Sequence, residues 1–310
     1  MAAILAFASL GDDGQVTPYP AFGPPAAPLR RFVLMSDTQY PLDVEVWEPL
    51  CRGERTCLIR AVADENPGFV VNAGDLVDQG AQASSWKRFY EDHRPLAERG
   101  IPYYPAIGNH DYYGPNEAAL ENFFHAFPDL EGRTWYEVRV PPVCVLVLNS
   151  NFDELRADET TAQNRWLKER LQACESDAEI RAVVVVCHHP PYTNALRFED
   201  DEAVQAHFVS RLTPKVKIFF SGHIHAYERF VRRGIQFVVA GGAGGPPAPL
   251  RTRRPRHDDA RASRMDAFHY VRVTVEPDRL LAEVPGLTDD GWELLDVFEV
   301  DLHKDPPPVY

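Results

Sequence analysis

The 310-residue chain has no apolar run long enough to span a bilayer, and it is short of positive charge. Its 32 lysines and arginines stand against 46 aspartates and glutamates, a formal net charge of −14. That excludes a protein that coats nucleic acid or an anionic membrane, because such partners need broad positive potential. A local site for a phosphorylated ligand stays open, since a bound metal ion inverts the local field. Cysteine is scarce too: five residues, an odd number, with no Cys-x-x-Cys spacing to suggest a zinc knuckle. Cys144 and Cys187 fall in apolar strand-like runs, where buried free thiols are expected. Cys51 and Cys57 flank a polar loop and can form a local disulfide, which would imply an oxidising compartment.

What is present is enough apolar residue, 45% of the chain, to bury a large core. Met1 to Leu10 is apolar but lacks a basic leading region. Ala6-Phe7-Ala8 resembles a signal-peptide cleavage site, and the alternative is a frayed tail running into the proline-rich linker Pro18 to Pro28. We expect a soluble protein, cytoplasmic by default and secreted as the alternative. Residues 1–29 read as tail and linker, 30–304 as one domain, and 305–310 as a C-terminal tail.

Along the domain, apolar strands alternate with helical segments. Strands are expected at Arg31–Met35, Phe69–Ala73, Pro102–Ile107, Val183–Val186 and Lys217–Phe220, with a hairpin from Trp135 to Leu148. Helices are expected at Trp47–Glu65, Trp86–Arg99, Glu117–Phe127 and Thr161–Cys174. The last strands, at Phe237–Ala240, Tyr270–Val275, Leu280–Val284 and Leu294–Val300, have antiparallel character. Continuous apolar strands separated by helices predict an α/β (α+β) protein, a four-layer αββα sandwich of two mixed β-sheets.

Five of these strands end in residues able to bind metal: Asp37 with Gln39, Asp75, Asn109 with His110, His188 with His189, and His223 with His225. Asp and Asn after a strand are ordinary turn formers, and a lone histidine is usually structural. Five such edges in one chain, one of them a His-x-His, point instead to a shared site. Carboxylate, carboxamide and imidazole together suit borderline divalent ions such as manganese, iron or zinc. A carboxylate can bridge two such ions, which activate water for attack on a phosphoryl group.

These motifs, in this order, resemble those of the calcineurin-like metallophosphoesterase superfamily. Gly222-His223-Ile224-His225-Ala226-Tyr227-Glu228-Arg229 and His188-His189-Pro190-Pro191-Tyr192 look most like purple acid phosphatases. The resemblance implies two divalent ions, with Asp37 and His225 on one, Asn109, His188 and His223 on the other, and Asp75 bridging. His110 would sit beside the substrate phosphate, with His189 and Asp111 supporting the ligands from behind. Two positions depart from the pattern. Gln39 replaces the usual histidine, as in relatives that act on nucleotide-linked diphosphates, and direct or water-mediated ligation both stay open. Asp78 replaces the tyrosine that colours purple acid phosphatases, so a colourless enzyme is expected.

The implied activity is hydrolysis of a small phosphomonoester. The alternatives are a phosphodiester or pyrophosphate bond, or a binding protein without turnover. Tyr113 and Tyr192 follow site motifs and can stack on a substrate or simply wall the cleft. The stretch Arg251 to Asp266 holds six arginines against three aspartates, an excess of three positive charges. Arg253 and Arg254 can therefore clamp an anionic group, or the stretch is a solvated loop.

Overall fold

The computed structural model describes residues 18–19, 25, 28–41 and 52–303. From β1 (Arg31–Met35) the chain runs through α1 (Arg52–Asp64) to β2 (Val70–Asn72), and through α2 (Ala83–Glu98) to β3 (Tyr103–Pro105). These crossovers make β1, β2 and β3 parallel neighbours, with Met35 opposite Asn72 and Asn72 opposite Pro105. After α3 (Asn116–Ala126) comes the hairpin of β4 (Tyr136–Val140) and β5 (Val143–Val147). Then follow α4 (Ala157–Ser176), β6 (Ala182–Val186), the short α5 (Glu202–His207), β7 (Val216–Ser221), β8 (Tyr227–Arg232), β9 (Ile235–Ala240) and β10 (Ala260–Arg264). The chain closes with β11 (Phe268–His269), β12 (Val271–Val275), β13 (Arg279–Thr288) and β14 (Gly291–Asp301).

The first sheet has the order β11-β13-β12-β1-β2-β3, with β14 on β13; the second is β10-β8-β9-β7-β6-β5-β4. Side-chain alternation builds the layers. Val143, Val145 and Val147 of β5 face the core shared by the two sheets, while Cys144 and Leu146 face Leu167, Leu171 and Cys174 of α4. Both faces of the second sheet are thus covered, which is why its strands read as unbroken apolar runs. Leu58, Ile59 and Val62 of α1 and Trp86, Phe89 and Leu96 of α2 join the core from the side of the first sheet. The four-layer αββα sandwich expected from the sequence is the fold observed.

Some local readings change. β8 is a strand where no element is expected from the sequence, and β10, in a stretch open to a loop reading, exists through its pairing with β8. β9 is parallel to β7 as well as antiparallel to β8. Residues 52–57, which lie inside the expected helix Trp47–Glu65 and also in the polar loop expected between Cys51 and Cys57, belong to α1. Cys57 is an exposed free thiol, while Cys144, Cys174 and Cys187 are buried and free. Cys51, Trp47–Leu50, residues 1–17 and the tail 305–310 lie outside the described residues. No described helix is long and apolar enough to cross a membrane.

Tyr19, within the proline-rich segment, is buried. Its backbone N–H donates to Ala126 O at 2.8 Å, and its ring lies 5.3 Å from that of Tyr103 and 6.1 Å from that of Phe127. Its hydroxyl is buried without a hydrogen-bond partner among the described residues. Tyr19→Ala should therefore cost about 3–5 kcal/mol, as other large aromatic truncations do. Tyr19→Phe should be neutral or stabilising, because it removes an unsatisfied hydroxyl. Urea unfolding of the two variants checks this; a large loss with phenylalanine would show that the hydroxyl is paired.

Candidate metal centre

The parallel strands deliver their carboxyl ends to one edge, the place where open α/β sheets carry ligand sites. β1, β2 and β3 lead to Asp37, Asp75 and Asn109-His110, and β6 and β7 lead to His188-His189 and His223-Ile224-His225. The turns are tight. Asp37 (φ 62°), Asp75 (φ 54°) and His223 (φ 67°) all occupy the left-handed region, which costs energy for residues other than glycine. Asn72 sets one of these turns: its Oδ1 accepts the Gly74 N–H at 2.9 Å, while its Nδ2 donates to Tyr103 Oη at 2.7 Å. Gly108 and Gly222 are required by close approach, since a Cβ would overlap Asp75 Oδ1 at the first and Asp37 Oδ2 at the second.

Backbone contacts fix the donor atoms. Both Asp37 oxygens accept the His223 N–H (3.1 and 3.0 Å), which ties the first sheet to the second. Asp75 Oδ1 accepts the His110 N–H at 2.8 Å. His188 Nδ1 lies 3.0 Å from Ala73 O, and His225 Nδ1 lies 2.8 Å from Pro246 O. A ring N–H directed at a carbonyl leaves Nε2 as the lone-pair nitrogen of a neutral imidazole. Yet His188 Nε2 faces Asn109 Oδ1 at 3.0 Å, Asp75 Oδ2 at 3.2 Å and His223 Nδ1 at 3.2 Å. His223 Nδ1 is itself 3.0 Å from Asn109 Oδ1.

A second group forms around His225. Its Nε2 lies 3.4 Å from Asp37 Oδ1. Of the two amide orientations of Gln39, one satisfies both ends: Nε2 donates to the Asp37 and Asp75 carbonyls at 3.1 Å each, and Oε1 faces His225 Nε2 at 3.2 Å. Asp75 Oδ2 is 3.4 Å from the same amide position, so it touches both groups. Lone pairs facing lone pairs repel unless a cation or a proton lies between them. Donors about 2.1 Å from one ion are separated by about 3.0 Å at right angles and about 3.4 Å at tetrahedral angles. The observed separations, 3.0–3.4 Å, fall in that range. The residues therefore fit divalent metal.

The electrostatics agree. Asp37 and Asp75 are buried, and among the described residues no lysine or arginine pairs with either. Burial would raise the Asp75 carboxyl, but His188, His110 and His223 outweigh it and hold it well below the usual carboxylate range. Burial opposes a charge on His188, yet Asp75 pushes its pKa up to about 9. His225 is raised against burial by its hydrogen bond to Asp37. In both cases a proton takes up the space a cation would neutralise. Burial, with His188 beside it, lowers His189 to about 3 and depresses His223 well below the usual imidazole value.

The remaining expected residues take different places. His110 is part-exposed at the rim; its Nδ1 lies 3.1 Å from Asp78 O and its Nε2 3.9 Å from Asp75 Oδ2. Asp111 is buried behind the centre, accepting N–H bonds from Leu76, Val77 and Gly108; burial and then Asp75 push its pKa up to about 8. Asp78 is paired with Arg88 at 2.7 Å. Tyr113 is open to solvent beside His110, but Tyr192 is packed against Phe237 and under the Arg232 guanidinium, 3.7 Å from its ring centre. Arg253 and Arg254 are exposed, and no contact among the described residues joins them to the centre. Arg251 and Arg256 instead bond the backbone of residues 193–198. Sequence reasoning missed Ser150, whose Oγ lies 2.9 Å from His189 Nδ1. Its signal was present, because Asn149-Ser150-Asn151 is one more polar group directly after a strand.

A two-sheet αββα sandwich with acid, amide and imidazole donors converging at its strand ends is the architecture of a metallophosphoesterase. Residues 30–227 match the calcineurin-like phosphoesterase family, and the chain belongs to it. It is 25% identical over 297 residues to an Arabidopsis thaliana protein named probable inactive purple acid phosphatase 9, covering 78% of this chain and 44% of that one. It is 24% identical over 278 residues to a Rhodopseudomonas palustris protein named probable cyclic nucleotide phosphodiesterase, covering 84% of this chain and 94% of that one. Its fold matches the purple acid phosphatase of yellow lupin seeds with a TM-score of 0.69 at 19% identity, over 90% of this chain and 55% of that one. The chain spans less than half the length of its plant relative.

The His188 proton gives a pH test. Because folding raises its pKa from 6.5 to about 9, its stabilisation is complete below pH 6.5 and is lost as pH rises through about 9. In metal-stripped protein the melting temperature should fall over that window by more in wild type than in His188→Gln. Metal affinity should rise over the same window, because the ligands must shed protons. Equal pH slopes for the two stripped proteins would refute the assignment.

Proposed function

We propose that the chain is a metal-dependent phosphoester hydrolase acting on small phosphomonoesters, with two divalent ions of manganese, iron or zinc in the centre. The observation that carries this reading is the pair of histidine Nε2 lone pairs, at His188 and His225, facing oxygens at 3.0–3.4 Å. Asn109, His188 and His223 would hold one ion and Asp37, His225 and Gln39 the other, and Asp75, which faces both groups, would serve both. Ions held there would polarise a phosphoryl oxygen and acidify water toward neutral pH.

The protein's own residues orient and supply protons. Asp75 Oδ1, held by the His110 N–H, keeps Oδ2 turned into the centre. His110 gives its Nδ1–H to the Asp78 carbonyl, so a proton carried at Nε2 is the one available to the leaving oxygen. Arg88 holds the Asp78 side chain away from the centre, and so no phenolate or carboxylate from that position colours or binds the metal. His189, kept neutral, is oriented by Ser150 and contributes no positive charge.

Likeness to purple acid phosphatases supports a monoester substrate. A phosphodiester or pyrophosphate bond is the second reading. It is favoured by Gln39 and by the match along 94% of the length of the bacterial protein named as a phosphodiesterase.

The test is hydrolysis of matched aryl monoester, aryl diester and nucleoside-diphosphate substrates by stripped protein reloaded with manganese, iron or zinc. Metal-dependent monoester turnover is expected. His110→Ala should lower kcat by about 10²–10⁴, the usual worth of a general acid, with metal content unchanged. Asp75→Asn should reduce the metal bound. Iron-loaded protein should show no visible charge-transfer band. Preference for diester or diphosphate would establish the second reading, and metal binding without any turnover would establish a binding protein.

A further inference from the structure

Two large aromatic side chains stand exposed beside the centre, Tyr113 at 39% and Phe198 at 40%. The Tyr113 ring lies 4.3 Å from the His110 ring, and the Phe198 ring lies 4.9 Å from the His223 ring, edge to face. Asn109 links them, donating from Nδ2 to Tyr113 Oη at 3.4 Å while its Oδ1 lies 3.0 Å from His223 Nδ1. Phe198, His223, Asn109, Tyr113 and His110 thus form one run of contacts along the centre.

A single exposed aromatic means little, but the backbone carrying these two is held in place while their rings stay exposed. Arg256 donates to Thr193 O at 2.6 Å and to Phe198 O at 3.1 Å. Arg251 donates to Ala195 O at 3.3 Å, and Ala195 pairs with Leu250. The buried Glu228 carboxylate accepts from Thr193 Oγ1 at 2.6 Å and from Asn194 N at 2.9 Å. On the other side, Tyr113 N donates to His110 O and Tyr113 O accepts from Ala81 N, both at 3.0 Å. Aromatic rings held beside the polar donors of the centre are preorganised to receive a planar apolar group.

We propose that Phe198 and Tyr113 form an aromatic rim that selects phosphoesters whose leaving group carries a planar aromatic ring. This rests on the hydrolase reading above. The arginine-rich stretch then acts on specificity through the backbone it ties down, with Arg256 as a positioning residue for Phe198.

The test compares benzyl phosphate with cyclohexylmethyl phosphate, which match in size and leaving-group chemistry and differ in the ring, using metal-loaded full-length protein. Wild type should favour the benzyl ester about three- to tenfold, in KM and not in kcat, the worth of one or two aromatic contacts. Phe198→Leu and Tyr113→Leu keep apolar bulk at exposed positions, and each should shrink that preference, with melting temperature as the check on folding. Calorimetric binding of benzylphosphonate and cyclohexylmethylphosphonate should show the same ratio and the same loss. Equal KM values in wild type, or a preference untouched by Phe198→Leu, would overturn the rim. If no ester is hydrolysed, the hydrolase reading fails by itself, and the phosphonate ratio still decides the rim.

Discussion

Two carboxylates, Asp37 and Asp75, lie buried at the strand ends with only histidines, an asparagine and a glutamine turned toward their centre, and the arrangement of the rest follows from that. Burying a carboxylate is costly unless its charge is compensated. The backbone N–H groups of His223 and His110 supply hydrogen bonds. The compensating charge comes from imidazole protons or from a cation that replaces them, since among the described residues no lysine or arginine pairs with either carboxylate. The histidine rings are therefore aimed by backbone carbonyls: Ala73 O and Pro246 O fix the Nδ1 side, so the Nε2 side must meet the carboxylates.

That aim is held by strain as well as by packing. Asp37, Asp75 and His223 sit in left-handed backbone conformations at the ends of short strands whose side chains are buried on both faces. A core packed at crystal-like density resists relaxation, so it can hold such turns where a looser scaffold would let them go. The Asp37 carboxylate accepting the His223 N–H joins the sheets at their common edge. Part of the centre is therefore built across the two sheets. A group that binds only the folded state stabilises it by mass action, and the strain at the centre is offset when that group is bound.

Much of this was legible in the sequence because it is local. A buried strand followed at once by Gly-Asp, Gly-Asn-His or Gly-His-x-His puts polar donors at a sheet edge whatever the distant contacts are. The unbroken apolar run of β5 and the helical pattern of α2 pointed to the layers in the same way. What was not legible depends on partners far along the chain. β10, Ala-Arg-Ala-Ser-Arg, has half-exposed alternating positions and is a strand through its ladder with β8. The arginines of residues 251–256 read as a free basic surface, yet Arg251 and Arg256 are spent on carbonyls 55–63 residues away. Tyr192 and Tyr113 looked alike as tyrosines after site motifs, and only packing separates them. Arg232 and Phe237 enclose the first, while the second is left open.

The same contacts bear on whether the centre only binds metal or also turns substrate over. A purely structural metal site needs its ligands and their supports, and every residue from Asp37 to His225 that faces the donors can be explained on that basis. His110 is the exception. Its ring is partly exposed, its Nδ1 is spent on the Asp78 carbonyl, and its Nε2 stands 3.9 Å from Asp75 Oδ2, beyond hydrogen-bonding distance. It also contacts the Tyr113 ring, 4.3 Å away at the rim. Its backbone N–H alone supplies the contact that orients Asp75, and alanine would supply that equally well. A ring held at one nitrogen and free at the other, at the open side of the buried centre, is what the proposed proton transfer to a leaving oxygen requires. The proposed turnover rests on the position of that one ring, independently of how Gln39 meets the metal.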